Sequence, residues 1–433
     1  MDREEAKKTI CPIPWNHSAI MQNGEYGICC QCIYNAAGRL LTDGVPERVD
    51  KTDIDTVRNH PTYVELRKSM LAGEKHSLCK LCWDDENLGR ATKRMLMLEL
   101  YSDVVDQILD NEDKSGVIDT EEFPVNYLDL RLGNLCNLAC RSCGPSDSSL
   151  WIDFFDSDQF TISNRPDAYT ITKVGASNKI NSNDFLYYKT LEFKNLLTST
   201  LSTVDRIYFT GGEPLINKKH YEILDYCIEN KLAENIILEY NTNGTTLNKN
   251  LLEQWRHFKE VDICFSIDGM GELANYVRYP SDWNTILNNM KLVDECDIPQ
   301  IVCTINCTVS ILNVMHFPEF FTWYNKQNFK KFRPSFGWNK VVFPVYLNVQ
   351  ILPQETKEYI TNYYNEFIEK SDIPDIKESI YSIINYMNQA DQSKELFRSC
   401  LITYRQDMKR NQKLRDHVPW LADVFDSRFK SDG

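Results

Sequence analysis

The sequence predicts an α/β fold, a mostly parallel sheet with helical crossovers, and two observations carry that reading. From Val125 to about Leu347, short apolar runs alternate with amphipathic stretches, which is the pattern of β/α units. The chain has 433 residues, 42% hydrophobic and 25% charged, enough for two or three globular domains at about 150 residues each.

The elements follow in chain order. Residues 1–100 hold six cysteines, a Pro-Ile-Pro-Trp stretch and a helical pattern that ends near Tyr101. Residues 101–123 are acidic and read as a linker. Residues 124–347 form the core, with predicted strands at 125–132 (VNYLDLRL), 206–210 (RIYFT), 236–242 (IILEYNT), 262–268 (DICFSID) and 301–309 (IVCTINCTV). Stretches such as HYEILDYCIEN and LLEQWRHF supply the helices between them. Residues 348–433 turn helical and close the chain as a C-terminal extension.

Composition narrows the function. A formal charge of −14 repels phosphate backbones and argues against a nucleic-acid partner. The start carries charges of both signs and no apolar signal core, and no run reaches the roughly 18 apolar residues of a membrane helix. The expectation is a soluble, cytoplasmic protein without a membrane partner. There, 15 cysteines, an odd number, do not suggest a disulfide framework, and clustered ones point to metal.

Cys136, Cys140 and Cys143 follow a predicted strand with CxxxCxxC spacing. Thiolates suit iron–sulfur clusters, and a loop this short can converge three of them. Three ligands on a four-iron cube leave one iron open for substrate or cofactor. Zinc completed by a distant His or Cys, or three unrelated core cysteines, are the alternatives on spacing alone.

This stretch resembles the radical S-adenosylmethionine (SAM) enzymes, and four later motifs fit that family in order. The resemblance implies a partial (β/α)6 TIM-type barrel. It also implies that Gly211, Gly212 and Glu213 of TGGEP hold the methionyl amino group, where a carboxylate suits an ammonium and glycines permit close approach. Asn243 of NTNG is a candidate for ribose or carboxylate, Ser266 and Asp268 of SIDG for ribose hydroxyls, and Arg278 of YVRYP for the SAM carboxylate. One departure is Ser142, where this family often has an aromatic residue near adenine.

Upstream, Cys11, a turn glycine at Gly24, Cys29 and then Cys79 and Cys82 resemble the auxiliary-cluster segment of SPASM and twitch radical SAM proteins. That segment usually follows the barrel, whereas here it precedes it. The resemblance implies one auxiliary [4Fe-4S] cluster on these four thiols. Cys30 and Cys32 are alternatives to Cys29, and tetrahedral zinc on the same thiols is the competing reading.

The implied chemistry is reductive cleavage of SAM to a 5′-deoxyadenosyl radical that abstracts hydrogen from a substrate, with a flavodoxin- or ferredoxin-type reductant. The substrate expected is a peptide or protein side chain, docked by the terminal zones, with the segment between Pro145 and Thr203 over the barrel mouth. A sugar, nucleoside or small metabolite is the second reading. A non-catalytic iron–sulfur carrier or zinc-stabilised binding protein is the third.

Three smaller readings complete the sequence. Residues 111–122 imitate an EF-hand loop but run into Pro124 and a strand, and so read as an acidic turn. His17 reads as a packed hairpin residue. Cys227, Cys264, Cys296, Cys303, Cys307 and Cys400 read as small core residues, with a catalytic thiol as the alternative for Cys264, Cys303 and Cys307.

Overall fold

The computed structural model describes residues 3–32, 38–87, 89, 91–152, 182–373 and 376–431. The chain clusters into two compact units: Met1–Cys136, Pro145–Tyr240 and His257–Glu260 form the first, and Asn137–Gly144, Asn241–Arg256 and Val261–Gly433 the second. The part of the expected cover over the barrel mouth at 153–181 lies outside the described residues.

In the first unit the sheet is built from β1 (His17–Ile20), β2 (Tyr26–Gly27), β5 (Tyr127–Arg131), β6 (Arg206–Thr210) and β7 (Ile237–Thr242, to Tyr240 in this unit). The order is β7-β6-β5-β1-β2. All pairs are parallel except β1 with β2; Tyr127 stands opposite both Arg206 and His17. A ribbon of β3 (Leu41–Thr42) and β4 (Val45–Pro46) turns at Asp43 and Gly44, both at positive φ, as a two-residue hairpin requires. The N-terminal hairpin therefore joins the sheet through β1, a pairing that sequence periodicity does not show.

Two buried arginines hold this arrangement. Arg67, on the helix Pro61–Leu71, donates to the carbonyls of Pro14, Gly116 and Arg58, while Arg58 donates to those of Trp15 and Phe123. Arg67 bonds through all three of its nitrogens and Arg58 only through Nη2, and together they tie the Pro-Ile-Pro-Trp stretch to the 116–123 turn. That turn is the EF-hand imitation: its Gly116 carbonyl is taken by Arg67, and Ile118 exchanges two hydrogen bonds with Asn59. The acidic stretch expected as a linker begins with a helix, Ser102–Asp110.

One face of β5 to β7 is polar. Tyr127 donates to Glu239 at 2.8 Å, Lys93 donates to Tyr127 at 3.0 Å, and Arg206 pairs with Glu239 at 2.7 Å. The opposite face, including Ile207, Phe209 and Leu238, is buried apolar core.

The second unit contains β8 (Glu260–Ser266), β9 (Ile301–Val309) and β10 (Gly337–Lys340), in the order β10-β9-β8 and all parallel. Along β8 and β9 burial alternates, so Cys303 and Cys307 lie in the apolar face with Ile305, while Cys264 shares the other face with Asp262 and Ser266. The C-terminal extension is helical, including Gln354–Lys370, Ile376–Asn388, α1 (Leu396–Arg410) and α2 (Pro419–Ser431). Among the described residues no helix is long and apolar enough to cross a membrane.

Candidate functional site

In the first unit the TGGEP turn packs against the start of the cysteine loop. The N–H groups of Gly212 and Glu213 donate to the carbonyls of Gly133 and Leu135, at 3.3 and 2.8 Å. A Cβ on Gly212 would stand 2.2 Å from the Leu135 carbonyl oxygen, and Gly211 sits at φ +113° against Arg131. Both glycines are thus required by the approach of one strand end to the next. Glu213 is buried, and its carboxylate accepts the Leu215 N–H.

In the second unit Cys140 and Cys143 lie together with Arg278. The Cys140 thiol is shifted down, first by a hydrogen bond from Cys143 and then by the Arg278 and Arg410 guanidiniums, against the opposing effects of burial and Asp268. Arg278 Nη1 is 4.0 Å from the Cys140 sulfur, and its Nε pairs with Asp268 Oδ2 at 2.9 Å. The other Asp268 oxygen accepts the Thr308 N–H, so this carboxylate orients Arg278. Asn243 Nδ2 donates to Asn137 Oδ1 at 2.9 Å, while its own Oδ1 takes the N–H and hydroxyl of Thr245. Asn243 thereby fastens the loop between Cys136 and Cys140 to the end of β7. Ser266 is half-buried at the end of β8, and Cys136 closes a segment of the first unit.

The low thiol pKa at Cys140 is what an iron ligand needs, because the thiolate is the donor. Within the second unit, Cys140 and Cys143 therefore offer adjacent thiol donors of the kind an iron–sulfur cluster takes.

The radical SAM superfamily model matches residues 130–323. Residues 130–323 are thus similar to the radical SAM superfamily. Over 164 residues the chain is 32% identical to uncharacterized protein MJ0907 of Methanocaldococcus jannaschii, which is 36% of this chain and 49% of that protein. The chain thus spans about half the length of that curated relative. Among solved structures, anSMEcpe with bound AdoMet overlaps 58% of this chain and 63% of its own, at 17% identity and a TM-score of 0.35. Streptococcus suis SuiB bound to precursor peptide SuiA overlaps 70% and 63%, at 14% identity and a TM-score of 0.34. Scores this low describe partial backbone overlap.

Outside the matched residues, the C-terminal extension grips the cysteine loop. Arg141, fully buried beside Cys140, donates to Asp407 at 2.5 Å, to Gln406 and to the Tyr276 carbonyl, and lies 3.7 Å over the Tyr276 ring. Arg410 donates to the Ala139 carbonyl at 2.7 Å. Both contacts come from α1, and sequence reasoning missed them. The signal was present as an Arg inside the cysteine motif and a Gln-Asp-x-x-Arg run far downstream, but nothing local joins the two.

The N-terminal thiols share one neighbourhood in the first unit. The sulfurs of Cys29 and Cys32 are 3.4 Å apart, and a hydrogen bond from Cys32 brings Cys29 down to about 7. Burial, then the charges of Cys79, Cys29 and Cys82, raise Cys11, while burial, with Cys29 and Cys79, pushes Cys82 up to about 12. Cys11, Cys29, Cys79 and Cys82 are near enough for their charges to act on one another, and Cys32 lies against Cys29. Burial, then the charge of Cys29, pushes Cys30 up to about 12, with Lys93 and Arg131 acting against them. Among the described residues no group of three or more His, Cys, Asp or Glu side chains is arranged to hold a single metal ion.

Of the remaining cysteines, Cys227, Cys303, Cys307 and Cys400 are buried, whereas Cys264 and Cys296 are half-buried. Burial raises Cys303 and Cys307 and pushes Cys264 and Cys227 to about 12. His17 is buried against the Tyr127 ring, with Nδ1 at 3.1 Å from the Ile28 carbonyl.

Proposed function

We propose that this chain is a radical SAM enzyme that removes hydrogen from a peptide or protein side chain. The observation that supports it best is the Cys140 environment inside the matched residues: a thiol lowered by Cys143 and two guanidiniums. Cys136, Cys140 and Cys143 would hold a [4Fe-4S] cluster, and Cys11, Cys29, Cys79 and Cys82 an auxiliary one. When bound, the first cluster supplies the electron and the open coordination site for reductive SAM cleavage.

The residues of the chain position and bind. Arg278, held by Asp268, presents a fixed cation beside Cys140 for a carboxylate. Glu213 offers a buried carboxylate for an ammonium. Arg141 and Arg410 fix the loop backbone, so that the thiolates need little rearrangement on loading. A flavodoxin- or ferredoxin-type protein would supply the electron.

The test is anaerobic reconstitution with iron and sulfide, counting iron per chain and measuring 5′-deoxyadenosine from SAM plus dithionite. The expected result is about eight irons in the parent and about four in a Cys136→Ala, Cys140→Ala, Cys143→Ala variant, with cleavage lost. Cluster-loaded parent that yields no 5′-deoxyadenosine would overturn the reading.

A further inference from the structure

The polar face of the first unit's sheet holds a pair of charges that the chemistry above does not use. In the parallel register of β5, β6 and β7, Asp129 and Arg131 share one face with Tyr208, Thr210 and Glu239. On the opposite face Leu130, Ile207 and Phe209 are fully buried, whereas Tyr208, Thr210 and Glu239 keep solvent contact. The polar face is thus reachable at these positions. Arg131 is the last residue of β5, from which the chain enters the cysteine loop, and a Cβ on Gly211 of TGGEP would stand 3.1 Å from its own. Parallel α/β sheets collect their ligands at this end of the strands.

The charges on this face are unevenly spent. Glu239 accepts the Tyr127 hydroxyl at 2.8 Å and pairs with Arg206 at 2.7 Å, with the Lys93 ammonium 3.9 Å away. Arg131 and Asp129 are 9% and 1% exposed, yet they meet only through two long contacts, Nε to Oδ1 at 3.4 Å and Nη2 to Oδ2 at 3.3 Å. A guanidinium has five N–H donors and a carboxylate about four acceptor sites, so both partners keep bonding capacity in hand. Among the described residues Arg131 Nη1 has no hydrogen-bond partner, and it is not among the atoms sealed from solvent. A charged pair buried with donors and acceptors to spare is costly until a ligand or water meets them.

We infer that Asp129 and Arg131 form a subsite that grips an amide group of the substrate, the guanidinium donating to its carbonyl oxygen and the carboxylate accepting its N–H. The pair presents donor and acceptor side by side while its two charges cancel, which is the complement of an amide. A bare carboxylate there would face Asp129, and a bare ammonium would face Arg131, so each meets one repelling group. The amide belongs to a peptide bond or to an Asn or Gln side chain. The inference rests on the polypeptide-substrate reading above and names the group by which that substrate is recognised.

The test uses the full chain, cluster-reconstituted, and saturation-transfer NMR titrations of three probes. These are acetyl-trialanine N-methylamide, its all-ester counterpart built from lactic acid, and the same ester chain carrying one carboxamide side chain. An amide-bearing probe is expected to bind about tenfold more tightly than the all-ester one, which offers Asp129 no N–H. Tight binding of the first probe alone assigns the amide to the backbone, and of the third to a side chain. Asp129→Asn should shrink the amide–ester difference to about threefold or less, because the acceptor loses its charge. Arg131→Lys, which lacks the planar fork, should weaken the amide probe about tenfold. Equal affinity of amide and ester probes in the parent, a comparison that needs no variant, overturns the inference, as does a difference that persists unchanged in Asp129→Asn. Displacement of the amide probe by equimolar acetate marks an anion site and overturns it too. Protein that makes 5′-deoxyadenosine but binds neither amide-bearing probe also overturns it, whereas binding without 5′-deoxyadenosine supports the subsite and overturns the radical chemistry.

Discussion

Gly212 shows how a binding motif can be explained by packing. The family resemblance gives this residue a place at the methionyl amino group, and the structure adds a reason internal to the chain: a Cβ would meet the Leu135 carbonyl oxygen at 2.2 Å. Backbone cannot yield as a flexible side chain does, so Gly212→Ala is expected to cost about 2 kcal/mol or more and to push the cysteine loop outward. A urea midpoint unchanged from the parent would show that the turn has room. The same two-sided logic holds at Asp268, which the sequence offers to a ribose and the structure turns toward Arg278 and the Thr308 N–H. Residue type was legible at both positions, but the partner was not.

Among the elements, α1 has the largest consequence. It lies outside the matched residues, yet its Asp407 meets the Arg141 guanidinium in a site where both are buried, and also takes the Tyr276 hydroxyl and the Leu414 N–H. Removing one partner of a buried pair leaves the other charge unmet, so Asp407→Ala should destabilise by about 3 kcal/mol or more. Denaturant unfolding measures this, and iron retained after desalting should fall with it because the loop between Cys140 and Cys143 is no longer clamped. A variant as stable as the parent would mean that Gln406 and Gln412 suffice to hold Arg141.

The strands were the legible elements. RIYFT and IVCTINCTV occupy 206–210 and 301–309 as read, because apolar alternation over a buried face is a local property. β10 was missed, since GWNK has no alternation of its own and becomes a strand only beside β9. The placement of β1 next to β5 was likewise invisible, since strand pairing depends on residues more than a hundred positions apart.

At the level of the whole molecule, pH should matter through two neutral histidines. His17 and His220 are both buried, and burial takes each down to about 3 from an ordinary value near 6.5. The unfolded chain therefore binds these protons first as pH falls. The stability these groups contribute is present above about 6.5 and is lost progressively toward 3. One such group costs about 2 kcal/mol between pH 7 and pH 5. His220→Phe, which removes one group, should shrink the loss of stability over that interval by about that amount, read from urea midpoints at the two pH values. An equal loss in both proteins would show that His220 is not held neutral.

The sequence by itself determined the chemistry on offer: thiols at CxxxCxxC spacing, a second set upstream, a parallel α/β core and an acidic chain. These follow from residue type, short spacing and periodicity, which act over a few positions. Only the tertiary structure decided which cations lower Cys140, that Cys32 lies against Cys29, and that α1 holds the cysteine loop. It also decided that an acid-free stretch pairs along β9 beside a cavity. Each of these depends on groups far apart in the chain, whose meeting is fixed by how apolar faces pack and not by any local pattern.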